Sequence, residues 1–347
     1  MTSSAFADVV EAYRIPAVIR LSSNLYALTY RLMKMVPARH ILDSAAADGA
    51  LGPGTTVVET TSGTFGLALA MQCALRGYPL VLVSDPVIDP RLYRQLTDLG
   101  AEVDIVAEPA ATGGYQASRL TRVAEVRDRR PASFCPEQYD NPGNPASYAM
   151  VAELLADRLG QVDQLVGPVG SGGSMCGTAG ALRSAFPQLR AVGVDTHRSV
   201  LFGQRDGHRA LRGLGNSLYP GNLDHTRFDE VHWVDAADVY TATRGLHRRH
   251  ALFMGPTSGA SYLVGSWLAA QDPDAVTVVV LPDEGYRYAD TVYDDTWLHA
   301  NGFPLSEPTG PRTVDDPAWA DRGWCRIDWG RRRLDDVVAS PAALVGA

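Results

Sequence analysis

Lys34 is the only lysine of this 347-residue sequence, and the other 30 of its 31 basic Lys and Arg residues are arginines. Arginine stays protonated in proteins, whereas lysine can lose its proton and form an imine with a carbonyl compound. A coding bias toward arginine would also leave a stray lysine. The position of Lys34 relative to other chemically active segments must therefore decide between the two explanations.

Three segments place glycine and hydroxyl residues between an apolar run and a helix-like run: residues 59–70, 165–177 and 254–261. Such a turn points backbone N–H groups and hydroxyls at an anion, although each one alone is also an ordinary helix cap. The second segment is the densest and contains Gly170, Ser171, Gly172, Gly173 and Ser174. It lacks both the GxGxxG spacing and the GK[ST] ending of nucleotide loops, so a phosphate monoester fits it better.

The elements that would position these turns alternate between short β-branched runs and helical stretches, which is typical of parallel sheets covered on both faces. A helix is predicted over residues 65–76 with a glycine cap at Gly77. The cluster DNPGNP (140–145) predicts a hinge or domain boundary. Residues 306–347 show no sustained periodicity and predict a tail. The predicted strands cover residues 56–59, 79–83, 103–106, 164–166, 191–194 and 276–281.

Composition narrows the class of protein. A net charge of −8 argues against a nucleic-acid partner. The arginine-rich stretch 119–130 is interleaved with acids and predicts a solvated helix face. No apolar run is long enough to cross a membrane and no secretory signal is recognisable, so we expect a cytoplasmic protein without a membrane partner. The four cysteines form no CxxC pair, which indicates free thiols and no metal site.

Taken together, the motifs resemble the fold-type II pyridoxal-phosphate family of cysteine synthase, cystathionine β-synthase and threonine synthase, over about residues 15–300. Lys34 precedes Ser62 by 28 residues, and the lead-in AADGALGPGTTVVE aligns without a gap with that family's pattern. The resemblance implies an α/β fold of two three-layer α/β/α domains with mainly parallel sheets. It divides the chain into a smaller domain (45–147) and a larger cofactor-binding domain (1–44 and 148–305), and it implies a homodimer.

The same resemblance assigns roles to residues. Lys34 would carry pyridoxal 5'-phosphate as a Schiff base, and its freed amine would remove the substrate's α-proton. Thr257 would hydrogen-bond the pyridine nitrogen, and the glycine loop would hold the cofactor phosphate; that loop is Gly170, Ser171, Gly172, Gly173 and Ser174. The substrate carboxylate would be held by Thr61, Ser62, Gly63 and Gln138.

Segments 83–90, 107–120, 194–203 and 281–297 look like the branch that makes N-(2-amino-2-carboxyethyl)-L-glutamate from O-phospho-L-serine and L-glutamate. An anionic second substrate needs a local cation in a chain of this net charge. Arg198 follows the predicted strand 191–194 and should lie at a carboxyl end of the sheet. We therefore predict that Arg198 binds a carboxylate of the second substrate, against the alternative of a plain surface charge.

Two departures from the family pattern affect the function. The stretch LTYRLM (28–33) before Lys34 is about nine residues shorter than usual. The loop TSGTFG places Thr64, a predicted cofactor contact, where the family has asparagine, and Phe65 where it has threonine.

We expect β-replacement on O-phosphoserine or O-acetylserine, through an aminoacrylate, with an amine or thiol nucleophile. The alternatives are a β-eliminating lyase acting on serine, cysteine or a related amino acid, and a non-catalytic relative serving as a partner subunit.

Overall fold

The computed structural model of the chain describes residues 5–61 and 63–345. Its strands are β1 (Ala17–Arg20), β2 (Leu25–Thr29), β3 (Thr56–Thr60), β4 (Leu80–Ser84), β5 (Glu102–Ile105), β6 (Ser133–Phe134), β7 (Gln164–Pro168), β8 (Arg190–Thr196), β9 (Glu230–Val234), β10 (Thr277–Leu281), β11 (Arg312–Thr313) and β12 (Cys325–Asp328). Its helices are α1 (Val9–Tyr13), α2 (Met35–Ala47), α3 (Thr64–Arg76), α4 (Pro90–Asp98), α5 (Gly114–Asp128), α6 (Gly143–Ala146), α7 (Ala149–Leu159), α8 (Gly173–Ala185), α9 (Ala236–His250), α10 (Pro256–Gln271), α11 (Asp295–Ala300) and α12 (Leu334–Val337). No helix among these is long and apolar enough to cross a membrane.

The larger sheet has eight strands in the order β1-β2-β10-β7-β8-β9-β12-β11. Its centre, from β2 through β9, is parallel, and the pairs β1/β2 and β9/β12 are antiparallel. Helices α7 and α8 pack on one face and α9 and α10 on the other. Strands β7, β9 and β10 are buried along their whole length, as expected for a sheet covered on both faces.

The smaller sheet is parallel throughout, with the order β5-β4-β3-β6. Helices α2, α3 and α4 cover one face, and α5 covers the other with Val123 and Val126. Helix α3 ends at Gly77 in the left-handed conformation with a φ of 72°, which confirms the predicted cap. Both sheets lie between helical layers, so the predicted fold class is confirmed.

The predicted boundary at residue 45 falls inside α2. The buried face of this helix, Met35, Ala38 and Leu42, packs with the smaller sheet rather than the larger one. Lys34 precedes this helix directly. The boundary near residue 147 remains a prediction, and there α6, of which Asn144 is buried, packs against α2 and α8.

The C-terminal residues 306–347 do not form a loose tail within the described part of the chain. Strand β12 pairs with β9, and Ile327 and Trp329 are buried in the core of the larger domain. The side chain of His197, after β8, contacts the carbonyls of Ala320 and Gly323 at 2.9 and 2.6 Å. The sequence of this segment is rich in Pro, Arg and Asp, which concealed a strand only four residues long.

The arginine-rich stretch also requires a correction. Arg122 and Arg130 form ion pairs near the surface, as a solvated helix face would. Arg119, however, is buried and pairs with Asp85 at 2.7 Å. The interleaved charges of the sequence could not indicate this difference, because it depends on the loop after β4 that brings Asp85 to the helix.

Candidate functional site

Lys34 lies at the start of α2, where the chain leaves the larger sheet. Met33 N–H donates to the carbonyl of Pro282 at 2.8 Å, and Leu32 is bridged to Asp283. The shortened segment before Lys34 is therefore a direct extension of β2 along the end of β10. This extension fixes the backbone from which the lysine side chain projects.

The amine of Lys34 is only partly accessible, and Nζ donates a hydrogen bond to Ser171 Oγ at 3.2 Å. Burial lowers the pKa of Lys34 to about 8. About one amine in ten is then neutral at pH 7, compared with fewer than one in a thousand for an unperturbed lysine. Lys34 is thus poised to act as a nucleophile and a base near neutral pH.

The glycine loop joins β7 to α8 and surrounds the N-terminus of that helix. Gly172 has a φ of +81°, and a Cβ built on it would lie 2.7 Å from the Cα of Leu223. Ser171 and Ser174 are buried in the same turn, and Gly173 is packed against the side chain of Asn144. This loop can therefore present N–H groups and hydroxyls to an anion at close range.

The smaller domain contributes the turn after β3. Thr61 Oγ1 accepts from Gly63 N at 3.1 Å and from Gly66 N at 3.3 Å, which fixes the turn. Ser62 lies outside the described residues. Thr64 is the first residue of α3 and partly accessible, whereas Phe65 is buried in the core of the smaller domain. The replacement at position 65 therefore serves packing.

Gln138 is buried between the two domains. Its Nε2 donates to Thr60 O at 3.2 Å, and its carbonyl accepts from Asn144 Nδ2 at 2.6 Å and from Asn222 Nδ2 at 3.0 Å. Asn144 Nδ2 also lies 3.5 Å from Ser171 Oγ. These contacts connect the substrate turn predicted in the smaller domain to the glycine loop of the larger one.

Thr257 occupies the first turn of α10 and is buried. A Cβ on Gly213 would lie 3.5 Å from Thr257 Cγ2, and one on Gly170 would lie 3.4 Å from the carbonyl of Gly213. Thr257 and the glycine loop are therefore separated by a single backbone segment. Asp283 is buried close by with Oδ1 unpaired among the described residues, and burial raises its pKa.

Arg198 does follow β8 at a carboxyl end of the sheet. Its backbone has a φ of +62°, its side chain is exposed, and the stem lies against Gly207. The guanidinium makes no hydrogen bond to any described residue. The next residue, Ser199, accepts from Asn216 N through Oγ, and Asn216 Nδ2 donates to Gly170 O at 3.3 Å. Arg198 is therefore connected to the glycine loop only through its neighbour Ser199 and Asn216.

Several residues of the site escaped sequence reasoning. Asn144 was part of the predicted hinge, and Asn216 and Asn222 belong to a glycine-rich loop without a recognised motif. Arg119 is buried on α5 and pairs with Asp85. Tyr139 adjoins Gln138, and burial raises the pKa of its hydroxyl.

The two sheets of this α/β fold and the contact between the Lys34 amine and the glycine loop are features to compare with known enzymes. The family model described as pyridoxal-phosphate dependent enzyme matches residues 33–283, and the chain belongs to this family. It is a pyridoxal-phosphate-dependent enzyme that acts on small molecules. The family and its relatives named as synthases support an enzyme over the alternative of a non-catalytic relative.

Two similar curated proteins are both named N-(2-amino-2-carboxyethyl)-L-glutamate synthase. That of Cupriavidus metallidurans is 39% identical over 76% of this chain and 79% of its own length. That of Ralstonia nicotianae is 37% identical over 86% and 92%. These matches agree with the branch indicated by the sequence motifs.

Solved structures give the same fold. O-ureido-L-serine synthase is 26% identical with a TM-score of 0.76, covering 85% of this chain and 100% of that one. Cysteine synthase from Entamoeba histolytica has a TM-score of 0.76 at 23% identity, covering 84% and 92%. The latter similarity shows the fold alone.

The residues present fit pyridoxal 5'-phosphate. The glycine loop at the N-terminus of α8 suits a phosphate monoester. At position 172 only glycine fits, because a Cβ there would collide with the backbone of Leu223. Lys34 can supply a neutral amine for the aldehyde, and Thr257 can supply a hydroxyl to the ring nitrogen. When bound, the cofactor provides an electron-withdrawing ring that stabilises negative charge at the α-carbon of an amino acid.

Proposed function

We propose that this enzyme catalyses β-replacement on an activated L-serine and joins the amino group of an anionic amino acid, such as L-glutamate, to the β-carbon. The observation that carries this proposal is the Lys34–Ser171 contact in a chain whose curated relatives are named as synthases of N-(2-amino-2-carboxyethyl)-L-glutamate. The contact puts the amine of Lys34 beside the loop suited to the cofactor phosphate.

Each predicted residue has one task in this reaction. Lys34 Nζ holds the cofactor before the substrate arrives and then moves the proton at the substrate's α-carbon. The turn of Thr61 and Gly63, together with Gln138, holds the α-carboxylate. Gly170, Ser171, Gly172, Gly173 and Ser174 hold the cofactor phosphate, with Thr257 and Thr64 at its ring.

A buried guanidinium of the smaller domain supports an anionic leaving group. Arg119 is buried on α5, and its Nε has no hydrogen-bond partner among the described residues. Asp85 balances its charge but leaves this donor free. A phosphate ester can use a buried guanidinium donor better than an acetate ester can, since charge-assisted hydrogen bonds are the stronger ones. We therefore propose O-phospho-L-serine ahead of O-acetyl-L-serine.

The test is product analysis with the purified holoenzyme. O-Phospho-L-serine and L-glutamate should give one equivalent each of phosphate and of N-(2-amino-2-carboxyethyl)-L-glutamate by mass spectrometry. O-Acetyl-L-serine should give a lower kcat/KM with the same nucleophile. Release of pyruvate and ammonia without consumption of glutamate would instead establish the β-eliminating lyase.

We further propose that the enzyme is a cytoplasmic homodimer, which rests on its resemblance to cysteine synthase-type enzymes. Sedimentation at micromolar concentration should give twice the mass of one chain. A mass equal to one chain would contradict the dimer, and recovery of the native protein outside the cytoplasmic fraction would contradict the localisation.

A further inference from the structure

Glu59 is a buried acid that the proposed reaction does not use. It is the next-to-last residue of β3 and is 1% exposed. Its Oε1 accepts from Thr60 N at 2.7 Å, and its Oε2 accepts from Gln138 N at 3.1 Å. One carboxylate therefore bridges the strand that leads into the Thr61 turn and the separate segment that carries Gln138.

The segment held by Glu59 is conformationally strained. Glu137, the residue before Gln138, has a φ of +53°. The left-handed region is unfavourable for a residue with a Cβ, and it persists only when the surrounding contacts compensate for it. The bond from Gln138 N to the carboxylate comes directly after this residue. Glu59 thus supplies the acceptor for the amide that follows this strained residue.

Gln138 is fixed at its backbone on both sides. Glu59 accepts from its N–H, and Asn144 and Asn222 donate to its carbonyl. The side-chain Nε2 has two hydrogens, one of which is used on Thr60 O. The second hydrogen remains available for a carboxylate in the site. Its direction depends on the backbone that Glu59 holds.

We propose that Glu59 is a positioning residue for the amino-acid carboxylate, acting through Gln138 without touching the substrate. Glu59 is buried, and both of its carboxyl oxygens already accept from backbone N–H groups, so its role is to hold the backbone rather than the substrate. This inference rests on the function proposed above, in which Gln138 and the Thr61 turn grip the α-carboxylate.

The experiment uses the holoenzyme with Glu59→Gln, which keeps the shape of the side chain but turns an NH2 group toward an N–H donor. The KM for the activated serine should rise by about tenfold or more, while kcat, cofactor content and the KM for the nucleophile change by less than about threefold. Glu230→Gln is the matched control, since Glu230 is also a buried acid but belongs to β9 of the larger sheet and contacts His232 instead. It should reduce stability and leave the KM unchanged.

Two further readouts separate positioning from general stability. Glu59→Gln combined with Gln138→Ala should have the same KM as Gln138→Ala alone, because Glu59 acts through Gln138. Deuterium exchange at the Gln138 amide should be faster in Glu59→Gln than in the parent. If Glu59→Gln does not fold, Glu59→Asp should show the same changes, because it keeps the charge but withdraws the carboxylate by one methylene.

Additive effects of the two substitutions, or an unchanged KM with faster exchange, would overturn the proposal. Unchanged exchange at Gln138 would also overturn it. The exchange measurement needs no turnover. It therefore tests whether Glu59 holds the Gln138 backbone even if the parent enzyme does not act on any activated serine. That second result would refute the proposed function and not the role of Glu59.

Discussion

Lys34 Nζ and Ser171 Oγ are joined by a hydrogen bond of 3.2 Å across the boundary between the two domains. Lys34 directly precedes α2, which packs on the smaller sheet, and Ser171 belongs to the glycine loop that follows β7 of the larger one. The bond therefore makes the only lysine of the chain a direct neighbour of the loop predicted to hold the cofactor phosphate.

Lys34→Arg should abolish the covalent link to the cofactor while preserving the fold, because arginine keeps the charge but offers no nucleophilic amine. Borohydride reduction followed by peptide mass spectrometry should find the cofactor attached to the Lys34 peptide in the parent and to no peptide in the variant. Normal turnover by the variant would refute the assignment of Lys34.

The rate of cofactor attachment to the apo protein should follow the neutral fraction of Lys34. Burial lowers the pKa of Lys34 to about 8, so the rate should rise about tenfold per pH unit up to that point and level off above it. Stopped-flow absorbance can measure this profile. A rate that keeps rising past pH 10 would show an unperturbed amine.

In the apo protein, the same lowered pKa destabilises the folded state as the pH falls from about 10.5 through 8.

Gly172→Ala should weaken cofactor binding far more than Gly170→Ala. The first substitution introduces a Cβ 2.7 Å from the backbone of Leu223 at a φ of +81°, whereas the second makes only an ordinary contact with Gly213 O. A left-handed alanine alone costs about 1–2 kcal/mol. Equilibrium titration of the apo proteins with pyridoxal phosphate checks the difference, and equal affinities would contradict the predicted loop.

Arg198→Ala should raise the KM for the amine nucleophile by a factor equivalent to about 1.5–3 kcal/mol, the value of a charge-assisted hydrogen bond. Phosphate release from O-phospho-L-serine should be almost unchanged. Arg205→Ala, in the same exposed loop, is the matched control. If phosphate release falls while the KM for the nucleophile stays constant, Arg198 belongs to the first half of the reaction.

Trp324→Phe should destabilise the larger domain by about 1–3 kcal/mol, because it leaves a buried acceptor without its donor. Trp324 Nε1 donates to His232 Nδ1 at 2.8 Å, and His232 Nε2 lies 2.8 Å from Glu230 Oε1. Trp319→Phe, at an exposed position, should change stability by no more than about 0.5 kcal/mol. Urea unfolding of the two variants compares them, and equal losses would show that the Trp324 bond contributes little.

The parts of the fold that sequence reasoning predicted are those with strong local signals. Strands β4, β7 and β10 are short apolar runs, as buried parallel strands usually are, and their predicted limits agree closely with the structure. Strands β9 and β12 contain charged residues and a histidine, and Glu230 of β9 pairs with Arg190 and Arg326 of the neighbouring strands as well as with His232 of its own strand. Local patterns could not reveal these two strands.

The same distinction applies to the site. Lys34 and the glycine loop stand out by residue type, and they meet in the structure as the family spacing suggests. Arg119 and Asn144 acquire their importance from burial and from partners far along the chain. Arg198 is predicted from its position after a strand and not from a motif. Its guanidinium is exposed, and the substitution above distinguishes a residue that binds the second substrate from a plain surface charge.

The position of the two sheets along the chain affects how the protein folds during synthesis. All four strands of the smaller sheet lie between Thr56 and Phe134, so this domain can form as soon as that stretch has left the ribosome. The larger sheet pairs Leu25 with Thr277 and adds β12 after that. Strand β2 must therefore wait, with one edge unpaired, until most of the chain has been translated. A ribosome stalled after residue 200 should carry a protease-resistant smaller domain next to a larger domain that is still open to attack.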